Sequence, residues 1–167
     1  GQGRGFHLED LLLEHLGIEP ARRRAAAERL RALDQAHVLW TLVPADAAAT
    51  LEALRARGLR LAVVSNSDGS IAWKLGHEGI GRFFEHVLDS HVEGVAKPHP
   101  ELFRRAVERL GADPARTLYV GDLYSIDVVA SRLAGLQGVL IDRTGAYETP
   151  RPCPRVGCLA DLLTLLP

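Results

Sequence analysis

Residues 117–142 read TLYVGDLYSIDVVASRLAGLQGVLID. Thr117–Gly121 is a short apolar run of strand character, residues 125–134 follow a helical pattern, and Gly138–Asp142 is a second apolar run. Two strands separated by one helix form a βαβ crossover, which makes the strands parallel and lays the helix on a sheet face. The same alternation continues on the N-terminal side. Residues 98–110 are amphipathic, with Leu102, Phe103, Ala106, Val107 and Leu110 on one side. Before them come a short strand at Val87-Leu88, a helix through Ile71 and Leu75 that stops near Gly79, and the strand LRLAVVS at 59–65. A helix over 45–57 turns Leu51 and Leu54 inward and closes at Gly58. On the C-terminal side, the Pro-rich loop 149–154 leads to a leucine-rich helix at 159–166. The pattern predicts an α/β fold: a Rossmann-like doubly wound parallel sheet over residues 44–167.

Residues 1–43 differ. Leu8, Leu11, Leu12 and Leu16 share one helical face that Gly17 stops, and Pro20 opens a second helix running to about Ala36. The cluster Arg22, Arg23, Arg24 on that helix reads as a solvated face, because Glu19 and Glu28 flank it.

Composition narrows the function. The 167 residues are 47% hydrophobic, and 20 basic against 21 acidic residues leave a net charge of −1. That balance gives no basic field for nucleic acid or anionic lipid, and neither is an expected partner. Cys153 and Cys158 are too few for a disulfide framework, and with prolines around them they read as part of a loop. No apolar run approaches a membrane span, and the expected compartment is the cytoplasm. The histidines are scattered; His99 alone falls at a pocket rim, beside Lys97. Trp40 and Trp73 read as packing residues. Arg fills every cationic position except Lys74 and Lys97, and a site that keeps Lys calls for a compact point charge.

Ligands of open α/β sheets bind beyond the carboxyl ends of the strands. Ser65-Asn66, Gly121-Asp122 and Asp142 fall there, with Lys97-Pro98 between the first two. Ser65 offers a hydroxyl, the N–H groups after it open a helix that favours an anion, and Lys97 adds a positive charge. Pro98 is expected to start the helix after Lys97. Asp122 and Asp127 put two carboxylates around one strand-to-helix turn, a donor set that suits Mg²⁺. An anion pocket beside a divalent cation is the equipment of phosphoryl transfer.

With these motifs in this order, VVSNS at 63–67, KPHPELF at 97–103 and VGDLYSIDV at 120–128, the chain resembles the haloacid dehalogenase superfamily. It is most similar to the phosphatase-like branch with a small helical cap, and residues 1–43 would be the remainder of that cap. The resemblance implies that Ser65 binds phosphate with Asn66 as its neighbour and that Lys97 stabilises the transferring phosphoryl group. It implies that Asp122 is a Mg²⁺ ligand, and that Asp127 is a second acid for the metal or for Lys97. The implied activity is hydrolysis of a small phosphorylated metabolite through an aspartyl-phosphate. Asp122 sets the chain apart from the metal-free 2-haloacid dehalogenase branch, which stays the lesser alternative.

The family's first motif, Asp-x-Asp, supplies the nucleophile, and no Asp-x-Asp occurs in these residues. Ile141-Asp142-Arg143-Thr144-Gly145 imitates it weakly and reads as a surface turn. The chain begins at Gly1 and contains no Met. The expectation is an N-terminally incomplete record of such an enzyme, inactive or weak as written; the competing expectation is a non-catalytic phosphate-binding or interaction protein. In that family the nucleophile strand lies between the strands ending at Ser65 and Gly121. The expected remedies are direct pairing of those two strands, recruitment of residues 38–43, or a strand from another chain, a second copy or a partner, or from an N-terminal piece preceding Gly1.

Overall fold

The structure, a computed structural model, describes residue 13, residues 17–35 and residues 42–166. Residues 1–42 and 43–167 form separate compact units. In the first, α1 (Pro20–Gln35) begins on its proline as the sequence predicts. Gly17 takes a left-handed φ of 69°, and the Ile18 N–H bonds back to the Leu13 carbonyl at 3.0 Å, closing a preceding turn. Arg24 pairs with Glu28 on an exposed face. Leu8, Leu11, Leu12, Leu16 and Trp40 lie outside the described residues. No helix among the described residues is long and apolar enough to cross a membrane.

The second unit runs α2 (Ala47–Ala56), β1 (Ala62–Ser65), α3 (Ile71–His77), β2 (His86–Asp89), α4 (Ser90–Glu93), α5 (Pro100–Leu110), β3 (Leu118–Gly121), α6 (Ala130–Leu133), β4 (Gln137–Ile141), β5 (Arg155–Val156) and α7 (Leu162–Leu165). All pairings are parallel, but they form two sheets rather than one. β1 pairs with β2, placing Ser65 opposite Asp89. β3, β4 and β5 pair in that order, placing Gly121 opposite Leu140.

Direct pairing of the strands ending at Ser65 and Gly121 does not occur among the described residues. Of residues 38–43, only Leu42 and Val43 are described, and neither is in a strand. β1 and β3 are half-buried along their whole length, whereas β2 and β4 hold the fully buried Leu88, Val139 and Leu140. The strands that face each other across the two sheets are thus the less covered ones. A side chain spans between them instead of a ladder: the Tyr119 phenol of β3 donates to the Val64 carbonyl of β1 at 3.1 Å.

What holds the two sheets together is α5. Its apolar face is the predicted one, and it is wide enough to serve both. Leu102 and Ala106 pack with Leu88 and Val64 on one sheet, while Phe103 and Val107 pack with Ala130, Leu136 and Tyr119 on the other. Leu102 and Phe103 are fully buried, each contributing roughly 2–3 kcal/mol. The helix starts at Pro100, two residues later than predicted. His99 takes the capping position, its Nδ1 accepting from the Glu101 N–H at 3.2 Å, so this histidine acts as a helix cap. Trp73 also departs from expectation: it is 53% exposed and stacks on His77 rather than packing in a core.

Candidate functional site

Of the predicted residues, Lys97 brings two together, Asn66 after β1 and Asp127 after β3. Its side chain is largely buried, and Nζ donates to Asp127 Oδ1 at 2.8 Å and to Tyr119 Oη at 3.0 Å. An ammonium has three donors, and these two bonds are the ones Nζ makes among the described residues. Burial first, and the nearby Asp127 charge second, push the Tyr119 phenol well above its ordinary value. It therefore stays protonated, able to accept from Lys97 while donating to Val64.

The backbone around Lys97 is fixed by Asn66. Its Nδ2 donates to the Lys97 carbonyl at 2.9 Å, and the Lys97 N–H donates to its Oδ1 at 2.8 Å. The sequence places Asn66 among the phosphate-binding residues; in the structure its side-chain amide pairs with the Lys97 backbone.

Side chains hold four of the N–H groups in the loop after Ser65, those of Ser67, Gly69, Ser70 and Ile71. The Ser67 N–H bonds Ser90 Oγ, those of Gly69 and Ile71 bond Asp89, and that of Ser70 bonds Asp68. Asp89, only 4% exposed, also caps α4 through the His91 N–H.

On the other side, β3 runs into a widened π-type turn, Tyr124–Val129, before α6. This turn brings Asp127 back beneath the strand end, where Oδ2 accepts from the Leu123 N–H at 2.9 Å. Gly121 makes the approach possible: a Cβ there would lie 2.4 Å from the Asp127 side chain. Of the two roles open to Asp127, its geometry serves Lys97. Asp122 is exposed, and its carboxylate makes no hydrogen bond among the described residues. A cavity of about 670 Å³ lies along this flank, lined by Gly121, Asp122, Asp142 and Tyr147 among others; Ser65, Asn66 and Lys97 do not line it.

Residues 5–135 match the family model of the haloacid dehalogenase-like hydrolases. The chain belongs to that family. Among curated relatives of this haloacid dehalogenase-like chain, it is 35% identical over 144 residues to the glyceraldehyde 3-phosphate phosphatase of Methanopyrus kandleri, covering 86% of the chain and 61% of the relative. It is 37% identical over 153 residues to the phosphoserine phosphatase of Thermus thermophilus, covering 90% and 60%. With haloacid dehalogenase-like hydrolase domain-containing protein 3 of Mus musculus the identity is 40% over 120 residues, covering 71% and 48%. The chain thus spans about half to three-fifths of these relatives' lengths. A HAD phosphatase structure from Thermococcus onnurineus shares the fold with a TM-score of 0.73 at 24% identity, covering 95% of this chain and 86% of that one.

Among the described residues of this haloacid dehalogenase-like chain, no three His, Cys, Asp or Glu side chains gather into a metal cage. At the end of β3 the one carboxylate without a hydrogen bond among the described residues is Asp122. That fits a cation held by one or two carboxylates and otherwise by water and substrate phosphate, which is the habit of Mg²⁺.

Three residues that shape the site, Tyr119, Asp89 and Tyr147, were not singled out in the sequence, and Asp142 was read as part of a surface turn. Tyr119 reads as an ordinary strand aromatic. Asp89 ends its strand as Ser65 and Asp122 follow theirs, and that signal was there to be used. Asp142 does open a turn, with Gly145 at φ 72°, yet it is itself buried at 8% exposure rather than on the surface. Tyr147 gave no signal at all.

Proposed function

We propose that this chain is the core of a Mg²⁺-dependent phosphatase acting on a small phosphorylated metabolite, with residues 1–43 as part of its cap. The observation that carries the reading is the Lys97 ammonium, held by Asp127 and Tyr119 between the ends of β1 and β3, its third donor making no hydrogen bond among the described residues. A fixed cation there meets the charge that develops on a transferring phosphoryl group. Ser65 supplies a hydroxyl donor to the same oxygens. Asp122 is the residue that would hold Mg²⁺, which neutralises phosphoryl charge when bound.

The attacking carboxylate belongs to an Asp-x-Asp strand outside residues 1–167, from a longer form of this chain or from a partner, seated against the half-covered edges of β1 and β3. Its oxygen forms a bond to phosphorus as the bond to the leaving oxygen breaks, and that oxygen keeps the electron pair. Water then cleaves the aspartyl-phosphate to inorganic phosphate and the free carboxylate. The names of two relatives, a glyceraldehyde 3-phosphate phosphatase and a phosphoserine phosphatase, support a phosphomonoester substrate. A cytoplasmic setting completes the reading.

Hydrolysis of p-nitrophenyl phosphate and sugar phosphates with Mg²⁺ tests it. Residues 1–167 alone should show little or no turnover, and a form carrying an Asp-x-Asp strand should turn over and lose activity in Lys97→Ala or Asp122→Asn. No turnover by that form would favour the non-catalytic phosphate-binding reading. Halide release from a 2-haloacid without Mg²⁺ would favour the dehalogenase.

A further inference from the structure

We propose that Tyr147 is a positioning residue that fixes the Asp122–Tyr124 turn from outside the β3–α6 connection. Its phenol sits across the two ends of the turn, accepting from the Tyr124 N–H at 2.9 Å and donating to the Asp122 carbonyl at 3.0 Å. A single hydroxyl thus fixes the backbone on both sides of Leu123, while Asp127 holds the Leu123 N–H from within.

Tyr147 is itself gripped. The buried Asp142 accepts from the Tyr147 N–H at 3.1 Å and from the Ala146 N–H at 2.9 Å. Arg155 pairs with Asp142 at 2.7 Å and donates to the Tyr147 carbonyl at 2.9 Å. The Arg151 guanidinium lies over both the Tyr124 and Tyr147 rings, at 5.1 and 5.5 Å from their centroids. Asp142, just after β4, and Arg155 of β5 therefore fix Tyr147, and Tyr147 fixes the peptide groups that orient Asp122. The consequence for a bound cation rests on the Mg²⁺ reading above; the fixing of the turn does not.

Tyr147→Phe removes the one oxygen and keeps the ring beneath Arg151. Amide hydrogen exchange on the ¹⁵N-labelled protein should show the Tyr124 N–H exchanging faster, with Val64 in β1 unchanged. Mn²⁺, used as a paramagnetic probe, should need about tenfold higher concentration to broaden the Asp122 and Leu123 amides, the usual scale for losing a residue that orients a metal ligand. Asp142→Asn, which weakens the grip on Tyr147 without touching its phenol, should move both readouts the same way by a smaller factor. Wild-type Tyr124 exchange and Mn²⁺ midpoint in Tyr147→Phe would overturn the proposal. A wild-type protein that Mn²⁺ never broadens at Asp122 would overturn the Mg²⁺ reading instead, and Tyr124 exchange alone would then decide the role of Tyr147.

Discussion

The β1–β2 sheet and the β3–β4–β5 sheet solve one problem in two ways. Each must hold a polar loop open at the carboxyl end of its inner strand. In β1–β2 the loop after Ser65 is drawn down by the neighbouring strand, because Asp89 at the end of β2 takes the Gly69 and Ile71 N–H groups. In β3–β4–β5 the turn after Gly121 is held by Asp127 from its own helix and by Tyr147 from beyond β4. The first arrangement uses up amides and leaves a hydroxyl; the second uses up one carboxylate and leaves another. The two meet at Lys97, which Asn66 holds from the first sheet and Asp127 from the second. A buried pair of opposite charges at the seam therefore joins a donor side to an acceptor side.

The largest effect expected is on the shared helix. Phe103→Ala should cost about 4 kcal/mol in urea unfolding and speed amide exchange in β3 and β4 more than in β1 and β2. Leu102→Ala should reverse that preference. Equal loss of protection in both sheets for either variant would break the division between them.

Next comes the seam. Lys97→Ala strands a carboxylate that is only 3% exposed, and removing one member of a buried pair costs about 3 kcal/mol or more. A loss below about 1 kcal/mol, the range of surface pairs, would mean that the pair does not hold the sheets in register.

Asp89→Ala should destabilise by about 2 kcal/mol, since it leaves several N–H groups without acceptors. Its exchange signature should be confined to residues 67–71 and 91. Spread into the Asp122 turn would show that the two loops are coupled through Lys97 rather than held separately.

The smallest effect is a pH dependence confined to the first loop. The Ser70 hydroxyl, together with the Ser70 N–H, draws the Asp68 carboxyl down to about 2. A carboxyl lowered by folding stabilises the protein above its unfolded value of about 3.9, and that contribution fades as pH falls toward about 2. The melting temperature of wild type should exceed that of Asp68→Asn by a constant margin above about pH 5, and the margin should shrink on acidification. A margin that grows on acidification would reverse the assignment.

The sequence carried the helices and strands well where one periodicity ruled. The apolar face of residues 100–110, the left-handed stops at Gly58 and Gly79 and the polar residues at strand ends are local properties. So is the close approach at Gly121, in the sense that a glycine before Asp122 marks it. The helix start was misplaced by two residues because Pro98 and Pro100 both offer a first-turn proline, and only the His99 cap separates them.

By itself, the order of residues determined the α/β class, the family motifs and the polar residues Ser65 and Asp122 at the carboxyl ends of parallel strands. Alternating periodicity and strand-end polarity are read residue by residue, so no tertiary contact is needed to see them. Only the tertiary structure decided what each polar group is paired with. Asn66 turned to the Lys97 peptide, the Ser67 and Gly69 N–H groups were taken by Ser90 and Asp89, and Tyr147 reached back across 25 residues to Asp122. A hydrogen-bonding group is satisfied by whatever partner the fold brings within about 3 Å, and that distance is a property of packing, not of spacing along the chain.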